Sequence, residues 1–68
     1  MWDNALGYFY EAANLGSMRL ASEKIGVAVS SISRQISQLE ATMGITLIEP
    51  GRRSIRLTDA GRLVYEFH

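Results

Sequence analysis

The sequence predicts a mainly α-helical fold, and three observations carry that prediction. Apolar residues recur every three or four positions over most of the chain, which is the spacing of one face of a helix. Glycines follow three such stretches, at positions 16, 26 and 44, where glycine commonly ends a helix. The alternation of apolar and polar residues that is typical of strands occurs only after Gly44.

Length and composition limit the chain to one small domain. Its 68 residues are 47% hydrophobic, which allows a single core. Because cysteine is absent, disulfides, thiolate metal ligands and a thiol nucleophile are excluded. Neither a secretory signal pattern nor an apolar run of about 20 residues occurs, so we expect a soluble, cytoplasmic protein without a membrane partner.

The charge distribution is more informative than the net charge. Seven basic and seven acidic residues cancel, which at face value argues against a nucleic-acid-binding domain, since such domains are often basic. Between positions 52 and 62, however, four arginines against one aspartate leave +3. The positive charge is therefore concentrated near the C-terminal end.

Two helices are predicted before residue 27. The first ends at Gly16, and four residues at helical spacing define its apolar face: Trp2, Leu6, Phe9 and Ala13. Ser17 can cap the second helix, because its side-chain oxygen can accept from a backbone N–H that the first turn leaves unpaired. We also predict that Ser17, at this helix end, is a candidate for a phosphate contact. The second helix ends at Gly26, and its face is formed by Met18, Ala21, Ser22 and Ile25.

A third helix is predicted from about residue 29 to 43. Gly44 closes it, and its apolar face is formed by Ile32, Ile36, Leu39 and Met43. The second and third helices are separated by a tight turn that contains Gly26. This arrangement is the signature of a helix-turn-helix, in which the later helix can enter the major groove of DNA.

The segment from about residue 45 to 57 predicts a two-stranded hairpin. Its apolar positions alternate around a turn at Pro50 and Gly51, and they are Ile45, Leu47, Ile55 and Leu57. Thr58 can cap a last helix from Ala60 onward, whose apolar stripe is Leu63, Val64 and Phe67. Three helices, a hairpin and a further helix make a winged helix-turn-helix domain, in which the hairpin is the wing.

The outward face of the third helix is short and polar. At about 100° per residue, three residues lie opposite Ile32, with two more on the flanks: Ser30, Arg34 and Ser37, then Ser31 and Ser33. Small hydroxyls allow close approach to base edges, and arginine can contact guanine or a phosphate. Such a face can also be simply solvated; its place after the turn and before the arginines favours DNA contact.

The hairpin carries three arginines within five residues: Arg52, Arg53 and Arg56. Loop arginines are often only solvated, but beside a helix-turn-helix they suit contacts with phosphates or a narrow minor groove. Together with Arg34 they could neutralise about four phosphates, which predicts a log-log salt slope of about −4 per domain.

Two classes of function other than DNA binding are open to a winged helix of this sequence. A winged helix can serve as a protein-interaction or dimerisation module without reading DNA, and zero net charge favours that alternative. An enzyme is the more remote class, because no histidine lies near a serine in sequence and no carboxylate pair has a useful spacing. We expect no catalytic residue, no metal site, and no such role for the terminal His68.

Several motifs of the sequence resemble those of a known family. The motifs Ala21-Ser-Glu-Lys-Ile25, Ser33-Arg-Gln-Ile36, Leu39-Glu40 and Leu57-Thr-Asp-Ala-Gly61 are similar to the N-terminal winged helix-turn-helix domain of LysR-type transcriptional regulators. The resemblance covers almost the whole chain. It implies a bacterial transcription factor in which residues 18–37 form the helix-turn-helix and Ser33, Arg34 and Arg53 touch DNA.

The resemblance also implies the organisation of the larger protein. Residues 1–58 would be the DNA-binding domain and residues 59–68 the start of a linker helix that pairs two subunits through Leu63, Val64 and Phe67. The partners would be double-stranded DNA with a dyad-symmetric operator and a second subunit, as a homodimer or, at full length, a tetramer. No cofactor is expected in this domain; a small-molecule effector is expected in a C-terminal domain that this chain does not contain.

The sequence departs from the family pattern at the start of the third helix and in the wing. The family commonly has Ser, Gln and Pro where this chain has Ala28, Val29 and Ser30. Since Ala28 cannot cap, either Ser30 caps a helix that starts later, or the helix end is left to water or a phosphate. Val29 could pack on a thymine methyl group. Pro50 replaces the usual arginine, which predicts weaker wing contacts or a shift to Arg52.

Overall fold

A computed structural model of the chain describes residues 4–51 and 53–67, so that Trp2, Arg52 and His68 lie outside the described residues. The described part contains four helices: α1 (Asn4–Leu15), α2 (Met18–Ile25), α3 (Val29–Met43) and α4 (Asp59–Glu66). The predicted mainly helical fold and the order of the helices are confirmed.

The predicted caps set the helix ends. The Ser17 hydroxyl accepts a hydrogen bond from the Leu20 N–H at 3.1 Å, and the Thr58 hydroxyl accepts one from the Gly61 N–H at 2.9 Å. Gly44 ends α3 with a φ of 72°, in the left-handed region that favours glycine. At the other end of α3, Ala28 occupies the cap position without a side-chain hydrogen bond. The helix therefore begins at Val29, and Ser30 lies inside it.

The core lies between α3 and the two preceding helices. Eight hydrophobic residues of the described part are buried: Ala5, Phe9, Ala12, Ala21, Ile32, Ile36, Leu39 and Leu47. Not every predicted apolar position is buried. Met43 is 42% and Ile45 38% exposed, and Ala13 is only half-buried because the buried face of α1 is centred on Phe9 and Ala12.

The prediction of a two-stranded hairpin is not borne out among the described residues, which contain no strand. One isolated antiparallel bridge joins Ile48 and Leu57, with the Glu49 N–H donating to the Arg56 carbonyl at 2.7 Å. The pairing is short because the chain turns at Pro50 and Gly51, where Gly51 has a φ of 76°. The Ile55 N–H, which in this register points away from the opposite segment, donates to the carbonyl of Gly16 at 3.1 Å. We call residues 45–57 the wing loop.

The helix α4 contacts the rest of the domain at both of its ends. A Cβ atom on Gly61 would collide with the Leu47 carbonyl oxygen, so this approach requires glycine. Tyr65 stacks on Tyr10 with ring centroids 5.0 Å apart, and its hydroxyl donates to the Asn14 side-chain oxygen at 3.1 Å.

Two of the three apolar residues predicted for dimerisation are exposed, in α4 and at its C-terminal cap. Leu63 is 57% exposed and Phe67 83% exposed, while Val64 is half-buried against the core cluster. The predicted stripe is therefore split between two sides of the helix. Within the described residues, no helix has the length and apolar character that crossing a membrane requires.

Candidate nucleic-acid interface

The polar face predicted for α3 is exposed. Val29 at the start of the helix is 41% exposed, Ser31 is half-buried, and the exposed polar residues are Ser30, Ser33, Arg34 and Ser37. Because Ile32 and Ile36 fix the opposite face in the core, these side chains are presented together on the outside. The face carries hydroxyls, one guanidinium and one aliphatic side chain.

A cavity of about 260 Å³ separates α3 from the wing loop. On the helix side it is lined by Ser33, Ile36, Ser37 and Glu40, and on the loop side by Ile48, Glu49 and Pro50, with Met18 from α2. Two predicted DNA-contacting serines therefore face the loop that carries the arginines. We call this space the helix–wing cavity.

Two of the three wing arginines lie in the described part of the chain, and both are exposed. The Arg56 side chain is 66% exposed, and its Nε lies 3.8 Å from a carboxylate oxygen of Glu49. Arg53 is also exposed, while Arg52 lies outside the described residues. The positive charge of the wing loop is thus accessible, with Glu49 as a neighbouring counter-charge.

Glu40 is a residue of this region to which the sequence analysis gave no role. One oxygen of its carboxylate accepts hydrogen bonds from the backbone N–H groups of Leu47, at 2.8 Å, and Ile48, at 3.1 Å. The sequence contains a signal for this role, because an acidic residue in the last turn of a helix is unfavourable beside the negative end of the helix dipole. Its presence there indicates a partner outside the helix.

Ser17 stands apart from the polar face of α3. It is half-buried and its hydroxyl accepts from the Leu20 N–H, which is the predicted capping role; a phosphate contact at Ser17 stays a prediction. Among the described residues, no cluster of three or more His, Asp or Glu side chains could hold a metal ion.

A helix-turn-helix whose second helix presents a polar face beside an arginine-bearing loop is the class of domain that these observations define. Residues 4–62 match the family model described as bacterial regulatory helix-turn-helix protein, lysR family. The chain belongs to the LysR family of bacterial regulatory helix-turn-helix proteins.

Curated relatives and solved structures agree with this assignment. The HTH-type transcriptional regulator TcbR of Pseudomonas sp. (strain P51) is 39% identical over 61 residues, which are 90% of this chain and 21% of that protein. The crystal structure of the BenM_DBD/benA site 1 DNA complex superposes with a TM-score of 0.91 at 34% identity, covering 98% of this chain and 78% of that chain.

The CbnR_DBD-DNA complex gives a TM-score of 0.89 at 37% identity, covering 98% of this chain and 77% of that chain. The predicted resemblance to a LysR-type helix-turn-helix domain is confirmed, and the relative and structures named here are regulators or domains solved with DNA. The chain spans about a fifth of the length of the curated relatives it matches.

Proposed function

We propose that this chain binds double-stranded DNA sequence-specifically, as the DNA-binding domain of a dimeric bacterial transcriptional regulator. The observation that carries the proposal is the exposed hydroxyl and guanidinium face of α3, in a domain that matches BenM_DBD in its DNA complex with a TM-score of 0.91. In this proposal α3 is the recognition helix.

Each side chain of the recognition face has a chemical role in the proposal. Arg34 contacts guanine or a phosphate, while Ser30, Ser33 and Ser37 donate to or accept from base edges and phosphate oxygens. Val29, an exposed aliphatic side chain at the first position of the helix, packs on a thymine methyl group. Ser31, which is half-buried, contributes from the edge of this face.

In this proposal the wing loop has the role of a wing, although the two halves of the loop are joined by a single β-bridge in the described part of the chain. Arg52, Arg53 and Arg56 are assigned to phosphates or the minor groove, where a narrow groove concentrates negative potential. The exposure of Arg53 and Arg56 supports this role. Pro50 supplies neither charge nor N–H at its position, so the wing contribution depends on these arginines.

The larger assembly is proposed from the family and from α4. Residues 1–58 form the DNA-binding domain, and α4 begins a linker helix that pairs two subunits on a dyad-symmetric operator. The exposure of Leu63 and Phe67 supports that pairing. A small-molecule effector bound by a C-terminal domain and a cytoplasmic location belong to the same proposal. So does the absence of enzymatic activity, which the relatives' names as transcriptional regulators support.

A gel-shift series at several salt concentrations tests the proposal. The chain is expected to retard a duplex, and the slope of log affinity against log salt is expected to be about −4 per domain if about four phosphates are neutralised. Lack of binding even at low salt, with a protein shown to be folded, would contradict it. A partner protein whose binding is unaffected by Arg34→Ala would instead support an interaction module.

A further inference from the structure

The side chain of Glu40 joins the recognition helix to the wing loop. Its carboxylate oxygen accepts from two consecutive backbone N–H groups, those of Leu47 at 2.8 Å and Ile48 at 3.1 Å. Because one oxygen accepts from two consecutive amides, it fixes the position of both residues relative to α3. This carboxylate therefore holds the first half of the wing loop, at Leu47 and Ile48, at a fixed distance from α3.

The backbone of Glu40 is tied into the same region. Its carbonyl accepts from the Gly44 N–H at 2.8 Å and from the Ile45 N–H at 3.2 Å. One residue thus fixes both the end of the recognition helix and the path of the chain that leaves it. Glu40 also lines the helix–wing cavity, so it spans the two sides of that space.

The two residues that Glu40 holds are connected to the rest of the wing loop. Ile48 forms the antiparallel bridge with Leu57, and the Leu47 carbonyl accepts from the Thr58 N–H at 3.0 Å. Arg56 lies next to the bridge, in the second half of the wing loop, which leads into α4. A substitution at Glu40 that moves Leu47 and Ile48 would therefore also move the segment that carries Arg56.

We propose that Glu40 is a positioning residue for DNA binding, which sets the width of the helix–wing cavity so that α3 and the wing arginines engage one duplex together. This inference rests on the proposed function. The carboxylate does not touch DNA in this account; it acts through the Leu47 and Ile48 amides. Its reach, and not its charge, is the property that matters.

Two substitutions separate reach from charge. Glu40→Gln keeps the side-chain length and an acceptor oxygen but removes the charge, whereas Glu40→Asp keeps the charge but shortens the reach by about 1.5 Å. Glu11→Ala is the matched control, since it removes an acid that joins α1 to α2 through Lys24 at 3.0 Å and lies outside the helix–wing cavity. Duplex affinity is measured for each variant over a range of salt concentrations, with the folded fraction checked by circular dichroism.

Glu40→Gln and Glu11→Ala are expected to bind within about threefold of the wild type and with its salt slope. Glu40→Asp is expected to bind about tenfold more weakly at low salt, with a slope shallower by about 3, because the contacts of the three wing arginines with phosphates are lost. In the Glu40→Asp background, adding Arg56→Ala should cost less than about twofold, since coupled residues are not additive. Wild-type behaviour of Glu40→Asp, or a loss in Glu40→Gln as large as that in Glu40→Asp, would overturn the inference.

Amide hydrogen exchange gives a readout that does not depend on the stability of a variant. The Leu47 and Ile48 amides of the wild type are expected to exchange slowly both in the free chain and in the DNA complex. Fast exchange of both amides in the complex alone would show that the contact opens on binding and would overturn the inference. If the wild type binds no duplex, the proposed function fails as well; if it binds and only the Glu40 results differ, the inference alone fails.

Discussion

Gly61 is the residue at which α4 and the wing loop come closest. A Cβ atom there would collide with the Leu47 carbonyl oxygen, whereas a Cβ atom on Gly7 in α1 would meet nothing within 4 Å. We expect Gly61→Ala to lower the free energy of unfolding by about 2–4 kcal/mol through overpacking. Gly7→Ala, the matched control, should raise it by about 0.5–1 kcal/mol. Denaturant unfolding measures both, and equal stability of the two variants would contradict the close approach.

Arg34 and Arg53 carry different parts of the proposed contact with DNA. Arg34 lies on the recognition face and Arg53 on the wing loop, so replacing Arg34 by Ala is expected to weaken binding by about 1–3 kcal/mol and to relax sequence discrimination. Replacing Arg53 by Ala should weaken specific and non-specific duplexes alike and reduce the salt slope by about 1. Competition assays with matched and scrambled duplexes distinguish the two; similar losses of discrimination would argue against this division.

At the scale of single elements, the start of α3 lacks the side-chain cap that α2 and α4 have. Ala28 occupies its cap position without a side-chain hydrogen bond, whereas Ser17 caps α2. Installing a hydroxyl by Ala28→Ser is expected to stabilise the chain by about 0.5–1.5 kcal/mol, and Ser17→Ala to destabilise it by about 1 kcal/mol. Thermal unfolding monitored at 222 nm as a helical signal, on the order of 5 °C per kcal/mol for a chain of this size, measures both changes. A lower melting temperature for Ala28→Ser would show that the backbone there does not accept a capped geometry.

The helices could be predicted from sequence because their signals are local. Ser17 and Thr58 cap, Gly26 and Gly44 terminate, and each determines an end through hydrogen bonds within a few residues. Apolar spacing likewise identified the face of α3 that is buried. Physical causes that act within one turn of helix can be recognised without knowledge of the fold.

The wing loop could not be predicted to the same depth because its shape depends on distant partners. The Ile55 N–H bonds to the Gly16 carbonyl, and the Leu47 and Ile48 amides bond to the Glu40 carboxylate. Alternating apolar residues predicted strand pairing, but within the described residues the wing loop forms one isolated bridge, between Ile48 and Leu57. The polar face of α3 could be predicted from the sequence. The position of Glu40 in the last helical turn indicates a partner, but which backbone groups it binds depends on the fold.

At the scale of the whole molecule, α4 leaves apolar surface uncovered in the single chain. Leu63 and Phe67 are 57% and 83% exposed, which suits an interface with a second subunit. Replacing both by Ser is expected to abolish cooperative occupancy of the two halves of a dyad-symmetric duplex while leaving binding to one half-site within about twofold. Titration of one-half-site and two-half-site duplexes measures this. Unchanged cooperativity would place the interface elsewhere.

In-vitro selection from a random duplex pool tests the central claim most directly. We expect the wild-type protein to enrich a defined sequence, arranged as two half-sites related by a dyad when two subunits bind. We expect the Arg34→Ala variant to lose that enrichment. A pool that shows no sequence enrichment after repeated rounds with folded wild-type protein would contradict sequence-specific DNA binding by this domain.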